Sequence, residues 1–434
     1  MIRVYLRQAW QMIKQNPLFS CFHIVGTGIA IAMVMVIAIV YYIKIADIYP
    51  ETNRSRTLTV KRAKLSSPDG HSQSSANLSY EFIKNCFSTL DGAEVVAAVM
   101  ESWEQSDYIQ PETSTVQVPV VVKDVDNNFW KVFDYDFVSG KPFTKSDFDS
   151  GIHTVVIAQS LARKLFGNEE AVGRTLSLNF VEYKVCGVVK DGSYALGDSF
   201  AQLWKPFTTV NGYDAKWGPG SFLGMFEVYI LAHSKDDFSG ITEQVNDYVR
   251  RANLTDKDHI LDLMGQPDLA WQTIFREFSN MAPNYWYIFR QLFLVLLILL
   301  LVPAINLSGM ISSRMEKRLP EMGVRKSFGA TRGKLLGQVI WENLLLTCLG
   351  GVLGLILSYV MVLVTKDWVI QSLEFFPDAM PEGVSVAITP EMLFNPALFL
   401  FTFGICVIIN LFSVLIPAYR SLRKNIIYSL NEQK

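Results

Sequence analysis

The residue types that most often carry catalysis or bind metals are scattered through this chain of 434 residues. Its five histidines are His23, His71, His153, His233 and His259. None of them is spaced from another histidine or from a cysteine as the ligands of a metal site are. No nucleophile stands in a recognisable pattern with a base that could activate it. The sequence therefore predicts no metal centre, no catalytic residue and no cofactor-binding residue.

One acidic segment begins like a calcium-binding loop. Asp124-Val-Asp-Asn-Asn128 offers oxygen ligands at the spacing that such a loop requires. However, Phe129 stands where the glycine of the sharp turn belongs, and Tyr135 stands where the bidentate glutamate belongs. We therefore expect a solvated acidic surface at this segment rather than a calcium site.

The five cysteines fall into two groups. Cys21, Cys348 and Cys406 lie in apolar runs, where cysteine acts as a small apolar residue. Cys86 and Cys186 lie in the long polar part of the chain, and a disulfide between them is one interpretation for an oxidising compartment. Two buried free thiols are the other interpretation, and the one that we favour.

Four long runs without charged residues dominate the chain. They are Gln15–Ile43, Gln291–Ser313, Asn343–Thr365 and Met392–Tyr419. A helix needs about 20 apolar residues to cross a membrane, and every run is longer than that. The first run is also too long for the core of a cleaved signal peptide. We therefore predict a membrane protein with four transmembrane α-helices and a large α+β extracytoplasmic domain between the first and second.

Basic residues are distributed unevenly between the polar segments. Segments 1–14, 314–334 and 420–434 together carry fourteen basic and three acidic residues, whereas the insert 44–289 carries 23 basic and 32 acidic residues. Loops rich in Lys and Arg next to membrane helices remain in the cytoplasm. The charge pattern therefore predicts a multi-pass membrane protein with both termini and the 314–334 loop in the cytoplasm.

These patterns divide the chain into nine segments. They are a cytoplasmic amphipathic helix (1–16), a first span (17–43), an extracytoplasmic domain (44–284), a second span (285–313), a cytoplasmic loop (314–334), a third span (335–365), an extracytoplasmic loop (366–391), a fourth span (392–419) and a cytoplasmic tail (420–434). Within the domain, the serine-rich segment Leu65–Ser79 is expected to be a flexible loop. Several β-rich runs predict mixed sheets. Leu269–Arg290 is expected to continue the second span as a stalk helix, which Pro283 should interrupt.

The loop between the second and third spans contains the signals of a short helix held by tight turns. Pro320 can occupy the first turn of this helix, Gly329 can end it, and Thr331 can cap the next helix. Val324 and Phe328 would then share an apolar face. A force applied to such a helix would reach both spans. A solvated basic loop that only anchors the chain is the other interpretation.

Some polar and small residues of the spans also invite a functional interpretation. Ionisable groups in spans are costly, so Glu342 either reaches the cytoplasmic interface, caps a helix or takes part in coupling. His23 either faces a partner helix or lies near the interface. Gly350, Gly351 and Gly354 are candidates for close helix packing, as in a dimer, and local flexibility is the alternative.

The cytoplasmic loop resembles a known family. Glu321–Thr331 reads E-M-G-V-R-K-S-F-G-A-T and is similar to the signature E-x-G-[IV]-R-[KR]-x-[LF]-G-A-[TS] of FtsX-like ABC transporter permeases of the MacB type. Further segments that resemble this family are Leu6–Trp10, Asn16–Ser20, Asn128–Phe133, Gly140–Phe143, Ala162–Gly167, Ala171–Gly173, Val185–Val189, Glu342–Leu346 and Gly350–Gly354. They follow the family order, and those of the insert resemble its periplasmic core domain.

The resemblance implies a permease subunit of an efflux or mechanotransmission complex in the bacterial inner membrane, with the insert 44–284 as its periplasmic domain. Two permease copies, identical or different, would pair, and each would bind a cytosolic P-loop ATPase that holds ATP and Mg²⁺. The residues implied to couple to this ATPase are Glu321, Gly323, Arg325, Lys326, Phe328 and Gly329. A periplasmic adaptor and an outer-membrane channel are further partners that the family suggests. No nucleic acid is expected as a partner.

One departure from the family pattern concerns the ATPase. Full MacB-type proteins carry it on the same polypeptide, whereas these 434 residues contain no G-x-x-x-x-G-K-[ST] loop. The sixteen residues before Pro17 are also too few for a nucleotide-binding domain. We therefore expect no enzymatic activity from this chain by itself and a separate ATPase subunit. A lipoprotein-releasing ABC permease and a non-transport membrane sensor or scaffold are the alternatives.

Overall fold

The computed structural model describes residues 10–11, 13–101, 107–111, 117–167, 170–276, 281–371, 384 and 386–423. The chain forms two compact units. The helical unit comprises Met1–Tyr41, Trp286–Val369 and Thr389–Lys434. The sheet unit comprises Tyr42–Tyr285 and Ile370–Ile388.

Helices and strands are numbered in chain order over the described residues. The helices are α1 (Pro17–Ile45), α2 (Tyr80–Cys86), α3 (Phe129–Val132), α4 (Lys145–Asp149), α5 (Gln159–Phe166), α6 (Phe238–Thr255), α7 (Ala270–Ile274), α8 (Tyr285–Lys317), α9 (Leu319–Ser327), α10 (Arg332–Gln371), α11 (Pro390–Leu393) and α12 (Pro396–Arg423). The strands are β1 (Thr57–Val60), β2 (Ala63–Ser66), β3 (Gln73–Leu78), β4 (Ala93–Met100), β5 (Asp107–Pro111), β6 (Val118–Val120), β7 (Val122–Val125), β8 (Phe137–Gly140), β9 (Thr154–Ala158), β10 (Thr175–Leu178), β11 (Val181–Val189), β12 (Leu203–Pro206), β13 (Leu223–Gly224), β14 (Phe226–Ala232), β15 (Ile260–Asp262) and β16 (Asp268–Leu269).

The helical unit is built from the four uncharged runs. Within the described residues, four helical segments are long and apolar enough to cross a membrane, namely α1, α8, α10 and the α11–α12 segment. Residues 10–11 and 13–15 are helical and Asn16 is not, so the helix breaks before Pro17. The first nine residues of the predicted amphipathic helix lie outside the described residues. The protein thus combines four apolar helices with a large α/β domain.

The sheet unit is built around a mixed sheet. Among the described strands the order is β15-β2-β3-β14-β4-β7-β12-β9-β11-β10-β5-β6, with β1, β8, β13 and β16 attached beside this path. The pairs β9–β11 and β7–β12 are parallel, and the other described pairs are antiparallel. The central strand β14 pairs with both β1 and β4 and is almost entirely buried. Apart from Glu227, its sequence is apolar, which follows from this position because the strand is buried on both faces from Val228 onward.

The serine-rich segment Leu65–Ser79 is only partly the loop that its composition predicts. Residues 67–72 form a largely exposed turn, and most residues on either side of it belong to β2 and β3. Strands β2 and β3 pair antiparallel from Ala63 opposite Ala76 to Ser66 opposite Gln73. Further along β3, Leu78 pairs with Phe226 of β14, and its side chain is fully buried. Strand propensity depends on the neighbours that a segment meets, and here partners on both sides outweigh a composition typical of loops.

The prediction of a solvated acidic surface at Asp124–Asn128 is wrong. The parallel pairing of β7 with β12 brings Lys205 Nζ within 2.6 Å of Asp124 Oδ1, and both side chains are nearly buried. Asp126 accepts hydrogen bonds from the backbone N–H groups of Ala98 and Phe129, each at 2.9 Å. Burial raises the pKa of Asp126 to about 7. Both side chains are thus buried and have partners within the domain, and no group of metal-binding side chains occurs among the described residues.

Two further predictions concern the cysteines and the stalk. Cys86 and Cys186 are free, and burial raises the pKa of each thiol to about 12. The predicted stalk helix over Leu269–Arg290 is not continuous. The short helix α7 ends at Ile274, and α8 begins at Tyr285, just after Pro283, because proline cannot continue a helix that precedes it.

Candidate functional site

The short helix α9 connects α8 to α10 and lies in the loop that the sequence predicts to be a coupling element. Pro320 stands in its first turn, as predicted, and Leu319, Met322 and Gly323 form its buried face. Met322 belongs to an apolar cluster with residues of the neighbouring helices. The buried members are Ile311, Met315, Met322, Leu335, Val339, Val414 and Ala418. Helix α9 is therefore packed against α8, α10 and α12 rather than suspended in solvent.

A glycine ends α9, as the sequence predicts. The Gly329 N–H donates to the carbonyl of Lys326 at 3.0 Å, and the Ala330 N–H donates to the carbonyl of Arg325 at 3.0 Å. These two bonds form a Schellman motif, which requires a left-handed residue at the position of Gly329. Its φ is +87°. Thr331 Oγ1 then accepts from the Lys334 N–H at 3.4 Å, which confirms the predicted cap of α10.

Two large apolar side chains are exposed on the side of α9 opposite its buried face, one within the helix and one at its C-cap. Phe328 is 88% exposed and Val324 is 46% exposed. They lie four residues apart and so on one side of the helix. A large aromatic side chain in contact with water is unfavourable unless another molecule covers it. The exposed face of α9, defined by Val324 and Phe328, therefore has the character of a docking surface.

A closed ring of polar contacts connects α9 to its neighbours. Arg325 donates to Glu321 Oε1 at 2.6 Å and to Gln338 Oε1 at 2.7 Å. Gln338 Nε2 donates to Glu342 Oε1 at 2.9 Å, and Arg318 donates to Glu342 Oε2 at 2.9 Å. Arg318 Nε returns to Glu321 Oε2 at 3.4 Å and closes the ring. We refer to these five side chains as the polar ring.

The polar ring has a buried side and an exposed side. Glu342 is 2% exposed and Arg318 is 17% exposed, whereas Glu321 and Arg325 are in contact with solvent. Removing one partner of a buried ion pair destabilises a protein by about 3–5 kcal/mol, since the other charge is left unpaired. Glu342 is thus a buried carboxylate paired with Arg318, and not a residue that only reaches the interface.

The predicted coupling residues do not all belong to the ring. Glu321 and Arg325 do, whereas Gly323 lies on the buried face and Phe328 on the exposed face of α9. Lys326 is partly exposed, and burial, followed by the charge of nearby Arg332, lowers its pKa. The six predicted residues are thus neighbours in the chain but differ in burial and in the groups that they contact.

Sequence reasoning missed two members of the ring, Arg318 and Gln338. Gln338 and Glu342 lie four residues apart on α10, so they share a helix face, and Arg318 immediately precedes α9. The i, i+4 spacing of two polar residues at the start of an apolar helix was the available signal. Pairing with α9, however, depends on how the helices pack, which periodicity does not specify.

The glycines of α10 pack within the chain. A Cβ on Gly350 would come within 2.9 Å of Thr27 Cβ, and a Cβ on Gly354 would come within 2.8 Å of the Gly28 carbonyl oxygen. On the other side, a Cβ on Gly351 would come within 2.5 Å of the Phe403 ring. Helices α1 and α10 therefore approach at backbone distance, and these glycines permit it.

We expect Gly354→Val to separate α1 from α10. The new side chain would overlap Gly28 and Ile31, and overpacking of this kind destabilises by about 1–3 kcal/mol. The measurement is the thermal midpoint of the detergent-solubilised chain, with Gly337→Val as control because nothing lies within 4 Å of a Cβ at Gly337. Equal midpoints for the two variants would contradict the close approach.

His23 lies on α1 one turn before Thr27. Its side chain is fully buried, and neither ring nitrogen has a hydrogen-bond partner among the described residues. Phe19, one turn earlier, has its ring centroid 6.1 Å from that of His23 and carries the Arg314 guanidinium at 4.5 Å. His23 thus faces the interior of the helical unit, which agrees with the interpretation that it faces another helix.

Two family models match this sequence. The model described as MacB-like periplasmic core domain matches residues 23–248, which is half of the chain. The model described as FtsX-like permease C-terminal matches residues 293–426, a range that contains α9 and the whole polar ring. Both matches agree with the motifs quoted above.

Individual relatives are more distant. "Uncharacterized ABC transporter permease YknZ" of Bacillus subtilis (strain 168) is 24% identical over 288 residues, which cover 64% of this chain and 66% of the relative. "Macrolide export ATP-binding/permease protein MacB" of Chromobacterium violaceum is 26% identical over 280 residues, which cover 64% of this chain and 40% of the relative. The matches thus span less than two thirds of these relatives. The crystal structure of the periplasmic region of MacB from Actinobacillus actinomycetemcomitans aligns with 46% of this chain and 88% of its own, at 18% identity and a TM-score of 0.31.

Proposed function

Because the chain belongs to the FtsX-like ABC transporter permeases of the MacB type, we propose that it is the membrane subunit of an efflux or mechanotransmission complex. In this proposal a cytosolic ATPase binds α9, and ATP hydrolysis moves the sheet unit on the periplasmic side of the inner membrane. Both termini lie in the cytoplasm, as the positive-inside rule requires. Two copies of the permease pair in the complex.

The observation that carries this proposal is the two-sided character of α9. Its exposed face presents Val324 and Phe328 to a partner, while its buried face and the polar ring attach it to the adjoining helices. A segment that only anchored the chain would need to be attached to the adjoining helices, but it would not need an exposed apolar face. Exposed aromatic residues are typical of the centres of protein interfaces.

The mechanism follows from these contacts. A partner that pushes on the exposed face displaces α9, whose packed side cannot be compressed because protein interiors are close-packed. The displacement reaches α10 through Gln338 and Glu342 and the end of α8 through Arg318. Movement of α8 and α10 is then the output of ATP hydrolysis in the partner.

The ATPase is proposed to be a separate subunit that holds ATP and Mg²⁺. The 434 residues contain no phosphate-binding loop of the form G-x-x-x-x-G-K-[ST], so they do not supply the phosphate contacts that hydrolysis needs. An adaptor or an outer-membrane channel would be an additional partner on the periplasmic side.

The test is purification of the tagged chain in mild detergent from its native host, followed by mass spectrometry and an assay of ATP hydrolysis. We expect a P-loop ATPase in stoichiometric amount. Phe328→Asp should remove it, since a charge would stand at the centre of the docking surface. Phe180→Asp is the matched control, because Phe180 is 82% exposed but lies in the sheet unit.

Two outcomes would contradict the proposal. If no ATPase accompanies the folded chain in repeated preparations, the sensor or scaffold alternative is favoured instead. If the ATPase is retained equally by Phe328→Asp and Phe180→Asp, α9 is not its docking site. A lipoprotein among the co-purifying proteins would favour the lipoprotein-releasing alternative within the same family.

A further inference from the structure

The last turn of α1 is capped by an arginine of the sheet unit. Arg54 Nη1 donates to the carbonyl of Ile43 at 2.8 Å and to the carbonyl of Ala46 at 3.2 Å. The last carbonyls of a helix have no partner within it, and a cation there is also favoured by the helix dipole. Arg54 satisfies these carbonyls, so the outer end of α1 is fixed to the turn that precedes β1.

Arg54 is itself held by a buried carboxylate. Its Nε donates to Glu51 Oε2 at 2.8 Å, and the two side chains are 9% and 2% exposed. The other oxygen, Glu51 Oε1, accepts from the backbone N–H and the hydroxyl of Ser199 at 3.1 Å and 2.7 Å. The Ser199 carbonyl in turn accepts from Tyr135 and Trp204, two buried aromatic residues of the core. A continuous chain of hydrogen bonds thus leads from the α1 carbonyls to the core.

A second buried pair lies more than two hundred residues later in the chain, just before it leaves the sheet unit. Arg276 forms a bidentate pair with Asp268 at 2.6 Å and 2.8 Å, and both side chains are 3% exposed. Arg276 Nη1 also donates to the carbonyl of Met281 at 2.9 Å, in the segment that leads into α8. Tyr285, the first residue of α8, packs against Trp271 of α7 with ring centroids 5.3 Å apart. The start of α8 is thus tied to β16 and α7.

The two pairs belong to neighbouring parts of the sheet unit. Glu51 and Arg54 line the same cavity of about 20 Å³ as Ala270 and Thr273 of α7. Strand β1, which follows Arg54, pairs directly with β16, which contains Asp268. The places where the chain enters the sheet unit from α1 and leaves it toward α8 are therefore adjacent and built alike.

Stability alone is a weak explanation for two such pairs. Buried ion pairs lose their hydration, and apolar residues in their place are often as stable or more stable. Their directional hydrogen bonds, however, fix a backbone position more exactly than apolar contacts do. Both pairs bind backbone carbonyls at the junctions with α1 and α8, where position matters most if those helices move.

We propose that Arg54 with Glu51, and Arg276 with Asp268, are positioning pairs that make the sheet unit follow α1 and α8 during the ATPase cycle. This inference rests on the proposed function. It identifies the residues that would pass movement of α1 and α8 to the sheet unit, whereas α9 would receive the movement from the ATPase. Without Arg54 the last turn of α1 loses its cap and unwinds when the helix moves. The movement then deforms this turn and does not reach β1. ATP hydrolysis continues, but the sheet unit no longer responds.

The test is hydrogen–deuterium exchange of the full chain, purified with its ATPase, with and without ATP. In Arg54→Gln, the amide of Ala46, which closes the last turn on the Tyr42 carbonyl, should exchange about tenfold faster, as expected for the loss of a charged hydrogen bond. The ATP-dependent change in exchange of β1 and β14 should disappear while ATP turnover is retained. Arg56→Gln is the control, since Arg56 lies in the same turn and binds Ala232 and Glu94 instead.

Arg276→Lys provides a second variant that keeps the charge but loses the bidentate geometry. It should show the same loss of the ATP-dependent change, with faster exchange confined to the segment before α8. If either variant exchanges faster throughout the sheet unit, with or without ATP, the pairs are merely structural and the inference is wrong. Unchanged ATP-dependent exchange in both variants also overturns it.

The wild-type chain separates this inference from the proposed function. If wild type carries no ATPase, both fail, because there is no cycle for the pairs to transmit. If wild type hydrolyses ATP and shows the ATP-dependent change, only the variants decide, and a failure there leaves the proposed function intact.

Discussion

Arg325→Glu should uncouple ATP hydrolysis from movement of the sheet unit without preventing membrane insertion. The change removes the contacts to Glu321 and Gln338 and places a second carboxylate four residues from Glu321. A hydrogen bond to a charged group contributes about 1.5–3 kcal/mol, so the connected state should be about tenfold or more less populated. The measurement is the ATP-dependent exchange of the sheet unit, alongside ATP turnover of the same preparation.

Lys334→Glu is the control for Arg325→Glu. It makes the same change in charge at an exposed position at the start of α10, outside the polar ring. A general effect of charge on ATPase binding would appear in both variants, whereas uncoupling should appear only in Arg325→Glu. Wild-type coupling in Arg325→Glu would show that the ring does not transmit movement.

Gly329→Val should uncouple the complex for a different reason, namely the loss of the turn that ends α9. Gly329 has φ +87°, a conformation that a β-branched residue adopts only at a cost of about 1–3 kcal/mol. The Schellman bonds would break, and α9 would lose its fixed position relative to Thr331 and α10. The same two measurements apply, turnover and ATP-dependent exchange.

Two matched variants make this result specific. Gly329→Asn should be close to wild type, because asparagine tolerates the left-handed region. Gly333→Val places the same side chain in the first turn of α10, where the backbone is helical and nothing lies within 4 Å. If Gly329→Val couples as well as Gly329→Asn, the turn at Gly329 has no role in coupling.

Local signals were sufficient for much of this structure. The apolar runs predicted helices long enough to cross a membrane, since length and composition alone decide that property. At α9, Pro320 and Gly329 favour their backbone conformations through their own covalent structure, and Thr331 caps the next helix with a local hydrogen bond. The helix and the turn that follows it could therefore be predicted from neighbouring residues alone.

Features that depend on distant contacts could not be predicted in this way. The serine-rich β3 is a strand because β2 and β14 pair with it, and neither partner is visible in its own composition. Asp124 is buried because β12, about eighty residues away, brings Lys205 beside it. Arg318 and Gln338 joined the candidate site only when the packing of α8, α9 and α10 was known.

The closed form of the polar ring gives α9 two independent connections to α10. One runs directly from Arg325 to Gln338, and the other runs from Glu321 through Arg318 to Glu342. If the contacts formed an open chain, the weakest one would limit the force that α9 can pass to α10. In a ring this force is divided between two parallel paths. Thermal breakage of one contact is brief, and the other path holds α9 until the broken contact forms again. Arg325→Glu differs because it removes one path permanently and places a second negative charge beside Glu321, which belongs to the other path. A contact that is weak by itself, such as the one at 3.4 Å between Arg318 and Glu321, can in this way form part of a connection that withstands repeated cycles.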